Sequence, residues 1–426
     1  MLRQIVCVRA VGAVRLVAVL LATLLLLATE TSRPSAAPLT DEVRGLWVLR
    51  STLTSPKSVQ QMVATAQLSG FNTILVQVRG RGDAYYNSGI EPRAAELEDQ
   101  PTTFDPLAMT IDLAHAAGIK VHAWFNVDLV SSATLLPRAR THIVARHPDW
   151  LMVPRSLANA VRSTPTDTPA YLGQIARAVR AQSDQVEGLY LSPVLAASRD
   201  YTTSVVADLA SRYALDGLHL DYLRYPNESY DYGPATVAAF RLASLPSVTS
   251  DVRARLDAQA LTTATAWPDA LPQAWNDFRR QRLTQLATSL RAAALAARPG
   301  LSITAAVAPN ADEARDGRLQ DWRLWAKSGI IDALCPMIYT ADATEFAATV
   351  ARVKADAGTA AVWAGIGAYK LTPARTIENL RTVRRAGVAG VLLYSYDSLT
   401  SGDAVPNYFS LIRPTLIDQA QPPHGR

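Results

Sequence analysis

Cysteine is nearly absent from this chain of 426 residues: there are two, Cys7 and Cys335, beside six histidines. There is no His-Glu-x-x-His and no cysteine cluster, so the familiar metal-ligand spacings are missing, and neither metal nor cofactor is expected. There is also no Gly-x-Ser-x-Gly nucleophile elbow and no phosphate loop, and Gly80-Arg81-Gly82 lacks the third glycine and the helix spacing of a dinucleotide site. Charge of one sign is scarce too. Lys and Arg number 42 against 37 Asp and Glu, a net +5, and the arginines are scattered singly, which excludes the basic face that a nucleic-acid partner requires.

The amino terminus has the layout of an export signal. Arg3, Arg9 and Arg15 precede the apolar run Leu16–Ala28, which is too short for a comfortable membrane span, and a small-residue stretch ends in Pro34-Ser35-Ala36-Ala37. Cleavage near Ala28 or Ala37 is expected, with an uncleaved anchor as the alternative, so residues 1–37 are set apart and the protein is expected in the periplasm or outside the cell. Cys7 lies ahead of the apolar run and cannot be a lipidated cysteine; after cleavage Cys335 stands alone, and no intramolecular disulfide can form. The fold then rests on its core, as a chain of this length permits.

What is present is an alternation of short apolar runs with helical patterns, the mark of βα units and a parallel sheet. Eight runs read as strands: 43–49, 73–78, 120–125, 217–221, 302–307, 333–338, 361–366 and 390–394. They predict an α/β fold, a (β/α)8 TIM barrel over residues 38–413, with a frayed tail over 414–426. Residues 127–200 and 226–272 are too long for simple connections and read as excursions that build a groove, the first with an extra strand at 188–191. Arg279-Arg280, in the long helix expected over 273–297, reads as a solvated face.

Active sites of such barrels lie at the carboxyl ends of the strands. Side chains alternate along a strand, so His219 and Asp221 share one face of the fourth run, Gln77 and Arg79 one of the second, and His122, Trp124 and Asn126 one of the third. Arg224 and Tyr225 follow Asp221, the fifth run ends at Asn310, the sixth at Tyr339, and the eighth at Tyr394, Tyr396 and Asp397. Carboxylates, amides, arginine and aromatics together suit a poly- or oligosaccharide, whose hydroxyls take planar polar groups and whose ring faces stack on Trp and Tyr. Cutting a glycosidic bond takes two carboxyl groups. Asp221 is the first candidate; Asp83 and Asp397 compete for the second place, with Asp128 and Asp231 behind them. Each has a plainer role: an ion pair to Arg224, Arg79 or His219 for Asp221, a turn after Gly82 for Asp83, and a cap before Ser398 for Asp397.

Several motifs stand in order: Arg44-Gly45-Leu46-Trp47, Gln77-Val78-Arg79 with Gly82-Asp83-Ala84, His122-Ala123-Trp124-Phe125-Asn126, His147-Pro148-Asp149-Trp150, Asp216-Gly217-Leu218-His219-Leu220-Asp221-Tyr222, Pro336-Met337-Ile338-Tyr339 and Tyr394-Ser395-Tyr396. With these the chain resembles the glycosyl-hydrolase-like family 10, exported bacterial barrels related to glycoside hydrolases. The resemblance implies a glycan hydrolase outside the cytoplasm, some members being associated with cell-wall glycan, and carries the strand-four aspartate onto Asp221 and the polar strand ends onto Arg79, Asp83, His122 and Asn126. Two departures stand out: Tyr222 where similar proteins often have a second acid, and Val127-Asp128-Leu129 in place of Pro-Tyr-Arg. The leading expectation is an exported glycosidase with Asp221 and Asp83 as its carboxyl pair; the rival is a glycan-binding barrel, a scaffold or sensor of the cell envelope without a working pair.

Overall fold

The structure, a computed structural model, describes residues 42–418; the export segment expected at the amino terminus lies outside the described residues. Ten strands are formed: β1 Val43–Val48, β2 Thr73–Arg79, β3 Lys120–Asn126, β4 Leu129–Ser132, β5 Gly188–Tyr190, β6 Gly217–Asp221, β7 Ser302–Val307, β8 Ala333–Ile338, β9 Ala361–Ile366 and β10 Gly390–Leu393. Eight of them close in the order β1-β2-β3-β6-β7-β8-β9-β10, each parallel to its neighbours, with helices between them, and β10 pairs back onto β1. The chain is therefore a (β/α)8 barrel. The eight expected runs are its eight staves, with ends displaced by a residue or so; β2 runs on to Arg79 and β3 to Asn126. The extra strand appears as β5, and its antiparallel partner β4 was not foreseen.

The strands read as continuous apolar runs because both of their faces are covered; every residue of β2 is buried. Helices begin where a short polar cap precedes proline. Ser55 accepts from the Ser58 N–H ahead of Pro56–Ser69, and Asp105 from that of Ala108 ahead of Pro106–Ala116. The closing helix Tyr408–Ile417 buries Leu416, so residues 414–417, expected as frayed tail, are helix instead.

Large rings fill the barrel interior. Trp47, Trp124 and Trp363 pack with Leu75, Cys335 and Leu392. Glycines opposite make the room: a Cβ on Gly217 would lie 2.2 Å from the His122 ring, and one on Gly365 would lie 2.6 Å from the Pro336 carbonyl and 2.9 Å from Trp47. The second excursion carries its own apolar cluster, in which Phe240 and Trp267 pack with Trp275 and Phe278 at the start of the long helix Pro272–Ala297. Arg279 of that helix is fully buried rather than solvated. It donates to the carbonyls of Glu228 and Tyr230 and lies 4.6 Å from the Trp275 ring centroid, tying the loop after β6 to the helix.

Candidate functional site

The inward faces of β3 and β6 pair in rungs, His122 with Gly217, Trp124 with His219, and Asn126 with Asp221. The last rung opens into a cavity of about 450 Å³ at the carboxyl end of the barrel. Asp221 lies on its lining and is 5% exposed. Its Oδ1 accepts from the Tyr222 N–H at 2.6 Å and from Arg224 Nη1 at 3.0 Å, and its Oδ2 from Trp124 Nε1 at 3.1 Å. Burial pushes the Asp221 carboxyl above its ordinary range, while the Arg224 charge and the Tyr222 and Trp124 N–H groups pull it back. Tyr222 has φ of 51°, an uncommon backbone for a bulky residue, and its N–H falls on the carboxylate in this conformation.

The Arg224 guanidinium stands 4.1 Å from the Tyr222 ring centroid and reaches Glu187, another lining residue, at 3.9 Å. Elsewhere on the lining Arg50 donates to Gln77 Oε1 at 2.9 Å. Aromatic rings complete the enclosure: Tyr339 stacks on Tyr394 at 5.3 Å, Tyr369 meets Tyr394 edge-on at 5.8 Å, and Trp47 does so at 6.0 Å. Trp47 is held from below, its Nε1 donating to His219 Nε2 at 3.0 Å while His219 Nδ1 pairs with Thr304 Oγ1 at 2.9 Å. That network assigns the Nδ1–H tautomer, and burial holds the ring neutral.

Of the residues expected at the site, Asp221, Gln77, Trp124, Asn126, Arg224, Tyr339 and Tyr394 line this cavity. The others lie elsewhere, each for a local reason. A register shift in β2 between Gln77 and Arg79 breaks the alternation and sets Arg79 opposite Phe125. Arg79 is buried in an ion pair with Glu91 at 2.7 Å and donates to the Asn126 and Val127 carbonyls, so it shapes the end of β3 from behind. Breaking such a buried pair costs about 3–5 kcal/mol. His219 supports Trp47 beneath the cavity. His122 lies a further rung down, 5.4 Å from Trp363, where burial lowers its pKa to about 4.

The carboxylates expected as partners of Asp221 are not on the cavity lining. Asp83 accepts from the Arg81 N–H at 2.9 Å, a turn contact. Asp397 accepts from the Leu49 N–H and from the Ser51 and Thr52 hydroxyls, which ties the loop after β1 to the end of the barrel. Asn310 caps the helix Ala311–Gly317, Tyr225 donates to the buried Asp231, and Tyr396 stacks on Phe409 outside the barrel. Asp128 is buried just past the end of β3, within the fields of Arg79, Asp231 and Arg224.

Several lining residues were not anticipated, among them Trp47, Arg50, Tyr222, Tyr369 and Glu187. Trp47 ends a motif already noted, and the inward parity of β1 would have placed it; Arg50, Tyr369 and Glu187 lie outside regular strands, where parity gives no direction. Among the described residues no group of three or more His, Cys, Asp or Glu side chains is gathered closely enough to hold a metal ion.

Residues 42–381 match the sequence family described as Glycosyl hydrolase-like 10. The glycosyl hydrolase YngK of Bacillus subtilis (strain 168) is 23% identical over 299 residues, covering 66% of this chain and 48% of YngK. The glycosyl hydrolase DigH of Escherichia coli (strain K12) is 24% identical over 366 residues, covering 72% of this chain and 67% of DigH. The chain thus spans about half the length of the first relative and two thirds of the second. Among solved structures, the glycoside hydrolase domain of PgaB (BpsB) from Bordetella bronchiseptica aligns with a TM-score of 0.58 at 14% identity, over 88% of this chain and 99% of that one, a likeness of fold.

Proposed function

Because the chain belongs to the glycosyl hydrolase-like 10 family, we propose that it is an exported glycoside hydrolase that cuts a bacterial cell-wall or extracellular polysaccharide, with Asp221 as a catalytic carboxyl group. The observation that carries this reading is Asp221 itself, a buried carboxyl on the lining of a cavity that also presents the rings of Trp47, Trp124, Tyr339 and Tyr394. Burying such a group is unfavourable unless it is paired or used, and a sugar ring stacked on Tyr339 and Tyr394 would come within reach of it. The expected place of action rests on the amino-terminal pattern of arginines, apolar run and small residues.

The test is release of reducing ends from purified cell-wall glycan strands, with and without stem peptides, and from chito-oligosaccharides. Asp221→Asn, checked for an unchanged melting temperature, is expected to lower kcat by on the order of 10²–10⁴-fold. A folded variant that keeps its turnover overturns the reading. A second reading, a glycan-binding barrel, is favoured by the pairing of Asp221 with Arg224 at 3.0 Å, which by itself neutralises the buried charge. It predicts binding without turnover for both proteins.

A further inference from the structure

Asp221 and Glu187 are the two acidic residues on the cavity lining. Glu187 immediately precedes β5, and its position is fixed from both sides. Its carbonyl accepts from the Ala133 N–H at 3.1 Å, and the next residue, Gly188, lies so close to β4 that a Cβ there would fall 1.7 Å from the Ser131 carbonyl. The side chain is fixed as well: the buried Tyr190 phenol donates to Glu187 Oε2 at 2.7 Å, and Arg224 Nη2 stands 3.9 Å from Oε1. One planar guanidinium therefore faces both carboxyl groups, which caps the separation of the facing oxygens at about 9 Å. Glycosidase pairs fall within roughly 5–9.5 Å.

The two carboxyl groups differ in exposure. Asp221 is 8% exposed in its side chain and faces three donors, one of them cationic, which favour its ionised form and oppose the burial that raises its pKa. Glu187 is 39% exposed in its side chain and open to proton exchange with water.

Resting on the glycosidase reading above, we propose that Glu187 is the second catalytic carboxyl group, the proton donor that shares the Arg224 guanidinium with Asp221. Its proton passes to the glycosidic oxygen as the bond from the anomeric carbon breaks, while Asp221 faces the positive charge on that carbon. Water then supplies a hydroxyl to the carbon, and its proton returns to Glu187 directly or by way of Asp221. Tyr190 is a positioning residue that sets the plane of the Glu187 carboxyl.

The experiment compares native protein, Glu187→Gln, Asp221→Asn and Tyr190→Phe on the polysaccharide that the native protein cuts and on a dinitrophenyl glycoside of the same sugar. Glu187→Gln is expected to lose on the order of 10²–10⁴-fold in kcat on the polysaccharide and less than about tenfold on the aryl glycoside, whose leaving group needs no proton. It should also lose the alkaline limb of the pH profile. Tyr190→Phe should lower kcat on the polysaccharide more than on the aryl glycoside, because the Glu187 carboxyl loses the phenol that fixes its plane. Equal losses on both substrates, or an unchanged alkaline limb in Glu187→Gln, overturn the proposal while a dead Asp221→Asn leaves the glycosidase reading standing. Retained turnover in folded Asp221→Asn overturns that reading, and this one with it.

Discussion

Asp231 shows how a single buried residue leaves a trace in the behaviour of the fold. It sits in the loop after β6 with φ of 79° and accepts from Ser192 Oγ at 2.8 Å, Tyr225 Oη at 3.2 Å and Thr236 Oγ1 at 3.1 Å. Burial is the largest influence on it and lifts its carboxyl to about 6, against the pull of Ser192, Arg279 and Thr236. An unfolded aspartate titrates near 4. Between about pH 4 and pH 6 the native protein therefore keeps a proton that the unfolded chain has released, and the native state's advantage from this group falls as pH rises through that window. Asp231→Asn removes the titration and suits the left-handed backbone, which asparagine tolerates well. Unfolding free energies from urea melts should show native protein losing on the order of 2 kcal/mol relative to Asp231→Asn between pH 4 and pH 6. Parallel profiles for the two proteins contradict this account.

At the scale of the element, strand parity explains both what was legible and what was not. The staves were readable because a buried parallel strand is an apolar run bounded by turn residues, and Gly217–Asp221 was delimited to the residue. Parity gave the inward face of β3 and β6 but not depth along the barrel axis. His122 and His219 share a face with Asn126 and Asp221 and yet sit one or two rungs below the mouth. Parity also failed at the irregularity in β2, where Arg79 leaves the face of Gln77. Outside the strands short polar residues were ambiguous, because a free backbone N–H competes for them: Asp83, Asp397 and Asn310 went to turns, loop ties and caps, while Glu187 reached the cavity. Depth also predicts the effect of filling the space that a glycine leaves. Gly365→Ala in β9 would press on the Pro336 carbonyl and on Trp47 at once, so β8 and the cavity wall must both give way. A loss of about 1–3 kcal/mol in stability is expected, read as a lower midpoint in urea. A variant with native stability would mean that Trp47 has room to move.

For the molecule as a whole, closure of the barrel joins the first described strand to the last, Val43 to Gly390 through Leu46 to Leu393, so the earliest and latest staves depend on each other. Cys335 reports on that closure from inside. It is the free cysteine of the described residues, fully buried in the interior beside Trp47 and Leu392, and burial drives its thiol pKa up. Because the thiolate is the reacting species, modification requires the barrel to open. In a Cys7→Ser variant, which leaves Cys335 as the single thiol, a chromogenic disulfide reagent should find no reactive group in native buffer. As urea is raised, labelling should appear with the same midpoint as the loss of far-ultraviolet circular dichroism. Fast labelling in native buffer would mean that the staves separate far more readily than their pairing implies. The sharper alternative concerns the excursion after β6, which has an apolar cluster of its own around Phe240 and Trp267. Were that cluster to melt independently, dichroism would fall before Cys335 reacts; coincident transitions are expected instead, because the long helix Pro272–Ala297 carries Trp275 into that cluster and Leu283 and Leu290 into the main core, and one helix cannot lose one end's packing without weakening the other's.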